Sequence, residues 1–344
     1  MIEINGAEKS GSGTILRLSV ALSAIVGEPL HIYNIRKKRS QPGLRPQHLE
    51  AVLTAAKLCN AEIKGASLGS QEIWFYPEKI RGGRAEAEIG TAGSIPMLIM
   101  TVLPICIFAE HPVALHISKG GTDVKHSPTI NYLKYVLLRI LRRMEVKASI
   151  EIHKYGYYPK GGGEVTLRTQ PSPSLKPLIL EKFGGVEAVE GISVCTFLAD
   201  RKVALRQAAE AKRLLKSRGF NAKISVVNDY SNPIQKGSSL VLWAETDMNV
   251  LLGSDAIGEI RKTSETVARE AVRGLLDEVA AKPTSDIHLA DMLIPYVALA
   301  DGESTYSTRI LTDHMKSNLW LAEKILGVSF SVKKRDGLVV ISKK

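Results

Sequence analysis

Apolar residues in this chain recur either at helical spacing or in short strand-like runs, with glycine-rich stretches between them. An amphipathic strand is predicted over residues 2–5, and Gly11-Ser12-Gly13 then opens a helix. The elements predicted next are helix 14–25, strand 30–35, helix 45–58 and strands 61–63 and 73–76. This first stretch therefore predicts two helices packed on a small sheet.

The same order of elements recurs twice further along the chain. The stretch Gly90-Thr91-Ala92-Gly93-Ser94 precedes helix 96–108, strand 114–117, helix 129–143 and strands 146–152 and 164–167. The third version comprises helix 261–279, an apolar segment 289–300, helix 310–325 and strands 328–332 and 338–341. The sequence thus predicts an α/β (α+β) protein with three repeated units, each a pair of helices on a four-stranded sheet.

A separate set of elements interrupts this repetition between the second and third versions. Its predicted elements are strand 191–198, helix 202–218 and strands 222–227 and 239–244. Three prolines at 171, 173 and 177 mark the exit from the preceding unit. We therefore expect a large domain formed by residues 1–180 and 255–344, with a small α/β domain inserted at residues 181–254.

The composition narrows the class of protein. The 344 residues are 44% hydrophobic and carry a net charge of +11, which favours a globular protein with a polyanionic partner. Cys59, Cys106 and Cys195 lie far apart, so neither a disulfide framework nor a zinc site is indicated, and we expect a cytoplasmic protein. The longest apolar run, 95–109, is too short to span a bilayer, so no membrane association is expected.

A basic loop precedes the second predicted helix. Five cations fall within ten positions: Arg36, Lys37, Lys38, Arg39 and Arg45. Pro46 suits the first helical turn, where a backbone N–H is expendable. The loop directs arginines, helix-start amides, Gln47 and His48 toward one place, which suits a phosphate. A solvated basic loop is the alternative interpretation.

Two residues late in the chain could take part in chemistry. His314 lies in the first turn of the predicted helix 310–325, beside its apolar stripe. A helix N-terminus disfavours a charged imidazole, which keeps a nitrogen lone pair free for nucleophilic attack. An exposed polar histidine is the plainer interpretation. Asp291 interrupts an apolar segment, either as a hydrogen-bonded carboxylate or as a site residue.

Glycine clusters recur without a recognised phosphate-binding pattern. None matches a P-loop, and most are typical of tight turns. Lys160-Gly161-Gly162-Gly163 differs, because three glycines beside a lysine permit either close approach to a ligand or a bent hairpin.

Several motifs together resemble the RNA 3'-terminal phosphate cyclases. They are Gly11-x-Gly13-x-Ile15-Leu16-Arg17, Arg36-x-x-Arg39-x-x-Pro42-Gly43-Leu44-x-x-Gln47-His48, Thr91-Ala92-Gly93-Ser94, Gly120-Gly121-Thr122, Gly156-Tyr157-Tyr158-Pro159-Lys160-Gly161-Gly162-Gly163 and Leu289-Ala290-Asp291. The resemblance covers the whole chain in order. It implies three repeated units with an inserted α/β domain, and ATP-dependent conversion of an RNA 3'-terminal phosphate to a 2',3'-cyclic phosphate.

The resemblance also implies roles for individual residues. His314 would attack the α-phosphorus of ATP and become adenylated, and the AMP would pass to the RNA phosphate. Arg17, Arg36 and Arg39 would clamp phosphates, while Gln47 and His48 orient the RNA end. Asp291 would anchor the nucleotide or orient His314. The nucleotide pocket would comprise Met100, Pro128, His288, Leu289, Ala290, Asp291 and Met292.

The chain departs from the family pattern at positions around this site. Ser10 stands where many members carry a glutamate, and Thr14, Met100 and Met292 stand where a glutamine is usual. Serine is a poorer ligand for Mg²⁺ than a carboxylate, so the protein's ligands for the implied Mg²⁺ or Mn²⁺ stay unknown.

Three alternatives come from other classes. A catalytically inactive cyclase-like protein of ribosome assembly would bind RNA but lack the nucleophilic histidine, which His314 argues against. An enolpyruvyl transferase would form no covalent nucleotide. A plain RNA-binding module would need an aromatic stacking platform, and only 6% of residues are aromatic. The sequence leaves the oligomeric state open.

Overall fold

The first repeated unit alternates strands and helices along one stretch of chain. The computed structural model describes residues 1–344. The elements of this unit are β1 (Ile2–Asn5), α1 (Gly13–Val26), β2 (Leu30–Tyr33), α2 (Pro46–Cys59), β3 (Glu62–Lys64) and β4 (Ile73–Tyr76). Ser12 caps α1 by accepting a hydrogen bond from the Thr14 amide, and Gly27 ends the helix in a left-handed conformation. The strands lie in the order β1-β2-β4-β3, with only β1 and β2 parallel.

The second unit repeats this arrangement. Its elements are β5 (Gly83–Glu88), α3 (Ile95–Ile107), β6 (Val113–Gly120), α4 (Ile130–Tyr132), a π-helical segment (Leu133–Leu137), α5 (Leu138–Arg143), β7 (Ala148–Lys154) and β8 (Gly163–Thr169). The strand order β5-β6-β8-β7 matches that of the first sheet, again with a parallel first pair. The predicted helix 129–143 is thus present, with a π-helical segment in its middle.

A different sheet follows in the chain. Its elements are β9 (Val186–Thr196), a 3₁₀ turn (Ala199–Arg201), α6 (Val203–Lys216), β10 (Ala222–Asp229), β11 (Gly237–Thr246), β12 (Leu251–Ile257) and α7 (Ser264–Ala281). The order β10-β9-β11-β12 differs from that of the repeated units. Leu240, Leu252, Val267 and Leu275 belong to a core separate from the main one. We call these elements the inserted unit.

Helix α7 packs on the sheet of the inserted unit. It contacts α6, β11 and β12, although its sequence pattern suggested the first helix of the third repeat. We therefore propose that the inserted unit extends to Ala281 and does not end at residue 254.

The third unit completes the repetition. It contains α8 (Ile287–Leu299), β13 (Ser304–Thr308), α9 (Asp313–Leu326), β14 (Phe330–Arg335) and β15 (Leu338–Lys343). Its sheet has three strands in the order β13-β15-β14. Ile179 forms a single parallel bridge to Thr305 at the place of the first strand in the other units. The inserted unit therefore lies between this bridge and the first helix of the third unit.

The helices of the three units pack in a closed ring. The second helix of each unit contacts the first helix of the next, as α2 on α3, the π-helical segment on α8, and α9 on α1. A core of 74 buried residues fills the space between these helices and their sheets. The predicted architecture of three repeated helix-pair units is confirmed. None of the helices is long and apolar enough to cross a membrane.

One buried carboxylate joins three parts of the molecule. Asp286 accepts hydrogen bonds from the hydroxyl of Tyr132 in the second unit and from the amide of Gly253 in the inserted unit. It also caps α8 by accepting from the amides of His288 and Leu289, each at 3.0 Å. Asp286 thus fixes the start of α8, from which Asp291 reaches the site described next.

Candidate active site

The closure of the ring brings the loop before α1 next to the start of α9. The Ser10 amide donates to Ser317 Oγ at 3.2 Å, and the two hydroxyls lie 2.8 Å apart. Thr14 Oγ1 donates to Asn318 Oδ1 at 3.1 Å, and Asn318 Nδ2 donates to the Asp291 carbonyl. These bonds fasten the first two turns of α9 between the first unit and α8.

His314 occupies the first turn of α9 with its imidazole 49% exposed. Its Nδ1 lies 3.9 Å from Asp291 Oδ2, while Asp291 Oδ1 accepts a hydrogen bond from the Thr312 hydroxyl. Thr312 in turn caps α9 by accepting from the Met315 amide. Asp291 is therefore both a hydrogen-bonded carboxylate and a neighbour of the imidazole.

Electrostatics favour the reactive form of this histidine. Partial burial lowers the pKa of His314 below its ordinary value, and the charges of Arg17 and Arg39 lower it further. Burial raises the pKa of Asp291 to about 6, against the hydrogen bond from Thr312. At neutral pH the imidazole is thus mostly neutral and the carboxylate mostly ionised, which suits a nucleophile beside a group that stabilises its later positive charge.

The basic loop is shaped by one of its own arginines. Arg36 has a left-handed backbone, and its Nη1 donates to the carbonyls of Gln41 at 2.8 Å and Gly43 at 2.7 Å. Burial and the charges of Arg39 and Arg45 lower the pKa of Arg36. Arg39 is exposed, and only its backbone amide is bonded, to the Arg36 carbonyl at 2.9 Å. Arg36 therefore closes the loop, and Arg39 remains free to bind a ligand.

His48 and Arg17 meet above the first turn of α1. The Arg45 amide donates to Nδ1 of the buried His48 ring at 3.4 Å, so the neutral ring carries its proton on Nε2. Nε2 faces Gly13, and a Cβ at this position would lie 2.9 Å from Nη1 of Arg17. The absence of a side chain at Gly13 therefore lets the two polar groups converge.

The charge states of this pair are set by burial. Burial and the charges of Arg17, Arg36 and Arg45 lower the pKa of His48 to about 3. Burial and Arg36 lower the pKa of Arg17 to about 10, which leaves it a cation at neutral pH. His48 is thus a neutral hydrogen-bond donor, and Arg17 supplies the positive charge.

Gln47 points away from this pair toward the second unit. Its Oε1 accepts a hydrogen bond from the Ser94 amide at 2.8 Å, at the start of α3. Both residues line a cleft of about 1170 Å³ between the second unit and the inserted unit. Gln47 therefore lies where the His48 cluster meets this cleft.

The predicted nucleotide-binding residues are spread between core and surface. His288 is exposed, and in its protonated form it lowers the pKa of Asp291, His314 and Asp255. Asp255 accepts from the amide of Thr129, the residue after the half-buried Pro128. The side chains that face inward are Leu289, Ala290 and Met292, all in the main core, and Met100, half-buried against it.

The site offers few ligands to a divalent metal. No three His, Cys, Asp or Glu side chains lie close enough together to hold an ion. At the position of the missing glutamate, the Ser10 hydroxyl is bonded to those of Ser12 and Ser317. This donor set of hydroxyls does not fit a protein-held Mg²⁺ or Mn²⁺ site.

The sequence alone does not identify residues whose role depends on contacts with distant parts of the chain. Gly13 lies in the stretch that opens the first predicted helix, and only the position of His48 shows what its missing side chain permits. Asp286 carried no signal beyond its place before an apolar segment. The sequence also does not show that Thr312 links the cap of α9 to Asp291.

Fold and site together define a phosphate-handling enzyme of repeated α/β units with a neutral histidine among arginines. A sequence model described as RNA 3'-terminal phosphate cyclase matches residues 8–332, and the chain belongs to this family. The resemblance seen in the motifs is thereby confirmed.

Relatives from three archaea cover nearly the whole chain, and each carries the name RNA 3'-terminal phosphate cyclase. The protein of Pyrobaculum aerophilum is 41% identical over 342 residues, which cover 99% of this chain and 97% of that protein. The protein of Methanopyrus kandleri is 41% identical over 341 residues, 98% and 96% of the two chains. That of Pyrococcus furiosus is 42% identical over 333 residues, 97% and 95% of the two chains.

Proposed function

We propose that this protein converts an RNA 3'-terminal phosphate to a 2',3'-cyclic phosphate, at the expense of ATP and through a covalent adenylate on His314. The main support for this proposal is the environment of the His314 imidazole. The imidazole is half-exposed, lies 3.9 Å from the Asp291 carboxylate and has a pKa lowered by burial and by the charges of Arg17 and Arg39. This setting suits attack on an anionic phosphorus centre.

In the first step, the imidazole of His314 attacks the α-phosphorus of ATP. A nitrogen–phosphorus bond forms, the bond from that phosphorus to the bridging oxygen breaks, and pyrophosphate leaves. Since Nδ1 faces Asp291, Nε2 is the nitrogen directed toward the ligand. The Asp291 carboxylate stabilises the positive charge that the ring gains, and Arg39 and Arg17 neutralise charge on the phosphates.

In the second step, an oxygen of the RNA 3'-phosphate attacks the phosphorus of the bound AMP, and the nitrogen–phosphorus bond to His314 breaks. In the third, the neighbouring 2'-oxygen attacks the activated 3'-phosphorus and loses its proton, and AMP leaves. The Nε2 proton of His48 and the cation of Arg17 lie together above α1 and are suited to hold the terminal phosphate. Mg²⁺ or Mn²⁺ would enter with the phosphates of ATP.

The cellular location that we propose is the cytoplasm. All three cysteines are buried and unpaired, as expected in a reducing compartment.

The test is covalent labelling with ATP that carries ³²P at the α-phosphate, in the presence of Mg²⁺ or Mn²⁺. Wild type should acquire acid-labile, alkali-stable label, and His314→Ala should acquire none. His111→Ala removes an exposed histidine between α3 and β6 and should label as wild type does. Label that persists in His314→Ala contradicts the assignment of the nucleophile. An unlabelled wild type that still binds RNA would favour the inactive RNA-binding alternative.

A further inference from the structure

A deep cleft lies outside the residues assigned to ATP and to His314. It runs between the second unit and the inserted unit, with a volume of about 1170 Å³. Neither His314 nor Asp291 lines it, and neither do Arg17, Arg36 or Arg39. The proposed reaction therefore leaves this cleft without a function.

Cations without a partner line the cleft from separate segments of the chain. Three of its cations are paired with carboxylates: Lys125 with Glu259, Arg206 with Glu265, and Lys262 with Glu270. Four others are exposed and form no ion pair: Lys160, Arg201, Lys236 and Arg261. They come from the glycine loop after β7, the turn before α6, the loop before β11 and the loop after β12. Their convergence on one cleft indicates a polyanionic ligand.

Between these charges, the cleft also exposes aromatic and aliphatic side chains. Tyr158 is 78% exposed, Ile234 52% and Ile260 92%. An aromatic ring among cations is the combination that single-stranded nucleic acids use, since bases stack on the ring while phosphates meet the charges. An acidic peptide would use the charges but would gain little from the ring.

The glycine loop beside Lys160 forms a fixed wall of the cleft. Asn232 of the inserted unit donates from Nδ2 to the carbonyls of Tyr155 at 2.7 Å and Gly161 at 2.9 Å. Gly161 and Gly162 both have left-handed backbones. The three glycines lie at the end of the connection between the antiparallel strands β7 and β8, which agrees with the bent-hairpin interpretation. The bonds from Asn232 hold Tyr158 and Lys160 at the edge of the cleft.

One end of the cleft reaches the candidate active site. Gln47 and Ser94 line it, and Gln47 is the neighbour of His48 in the first turn of α2. From this continuity, we propose that the cleft binds the RNA strand leading to the 3'-terminal phosphate, with its phosphates on Arg201, Lys236 and Arg261. This inference rests on the proposed function, because the terminal phosphate must lie at His48 and Arg17.

The test compares two triple variants that lose the same charge. The cleft variant combines Arg201→Ser, Lys236→Ser and Arg261→Ser, and the control combines Lys333→Ser, Lys334→Ser and Arg335→Ser in the exposed hairpin of β14 and β15. Each is assayed with a 3'-phosphorylated oligonucleotide of about ten residues, a length suited to such a groove, and with a 3'-phosphorylated dinucleotide. RNA binding is measured in parallel by fluorescence anisotropy at several salt concentrations.

We expect the cleft variant to raise KM for the longer RNA about 10- to 50-fold, with kcat little changed. Its slope of log Kd against log salt should fall by about 2, since each lost phosphate contact of a single strand contributes about 0.7. KM for the dinucleotide should not change. The control should behave as wild type, and labelling of His314 by ATP alone should show that both variants are folded.

Two results would overturn the inference. One is a loss of affinity for long RNA that is no greater in the cleft variant than in the control. The other is a rise in the cleft variant's KM for the dinucleotide that equals its rise in KM for the longer RNA. A wild-type protein that cyclises neither substrate would refute the proposed function instead. The anisotropy comparison would then still decide whether the cleft binds RNA.

Discussion

The substitution Gly13→Ala tests the convergence of His48 and Arg17 above α1. Helix propensity alone predicts a gain, because alanine in a helix is favoured over glycine by about 0.5–1 kcal/mol. The structure predicts the opposite. The new Cβ would overlap Nε2 of His48 and lie 2.9 Å from both Cδ2 of that ring and Nη1 of Arg17.

The expected cost of Gly13→Ala depends on how far the His48 ring can move away from the new methyl group. A methyl group needs about 3.5–4 Å to neighbouring atoms, so the His48 ring must retreat by about 1 Å. The ring is 4% exposed and its Nδ1 is bonded to the Arg45 amide, so it cannot swing freely into solvent. Overpacking of this kind costs about 1–3 kcal/mol, and a displacement of about 1 Å in a site costs about 100-fold in rate.

The assay measures cyclisation of a 3'-phosphorylated RNA together with urea unfolding. We expect Gly13→Ala to lose about 100-fold in kcat and about 1–2 kcal/mol in the free energy of unfolding. The matched control is the same substitution in a His48→Ala background. There the ring is absent, so Gly13→Ala should be neutral or stabilising, which gives a coupling energy of about 1–3 kcal/mol in the double-mutant cycle.

The reasoning would be refuted by a Gly13→Ala protein that is as stable as wild type and cyclises RNA at the wild-type rate. An equal destabilisation in the two backgrounds would also refute it, because the cost would then not arise from the His48 ring.

Two further predictions concern pH and stability. Removing the positive charge in Arg39→Gln should raise the pKa of His314, so that the acid limb of adenylation moves to higher pH. Lys37→Gln in the same exposed loop should leave the acid limb in place, and an unmoved limb in Arg39→Gln would contradict this coupling. Asp286→Ala should lower the free energy of unfolding by about 3–5 kcal/mol, because it leaves the Tyr132 hydroxyl and the Gly253 amide buried without an acceptor. Urea titration measures this loss. A loss below about 1 kcal/mol would show that water replaces the carboxylate.

The repeated architecture could be predicted because its signals are local. Each unit shows helical spacing of apolar residues, a first helix with a side-chain cap (Ser12, Ser94 or Asp286) and short strands, and these features lie within one stretch of chain. The first strand of the third unit could not be predicted, because it is reduced to the single bridge at Ile179. The amphipathic pattern of α7 shows that one face is buried, but not which sheet covers it.

The residues of the candidate site likewise differ in whether a local signal in the sequence predicts them. The basic loop and His314 carry local signals, namely charge density and a position at a helix start. The direction of Gln47 and the meeting of His48 with Gly13 depend on packing between distant elements. Within Leu289-Ala290-Asp291, the helical period places the first two side chains in the core and leaves Asp291 beside His314.

The hydrogen bond between Ser10 and Ser317 joins residues that are 307 positions apart. On the ribosome, the cations of the first unit therefore emerge long before the helix that carries the imidazole. Until α9 closes against α1, a growing chain holds the cations that we propose to bind phosphate but not the histidine that we propose as the nucleophile. On that proposal, a growing chain could bind RNA without modifying it until α9 has been synthesised.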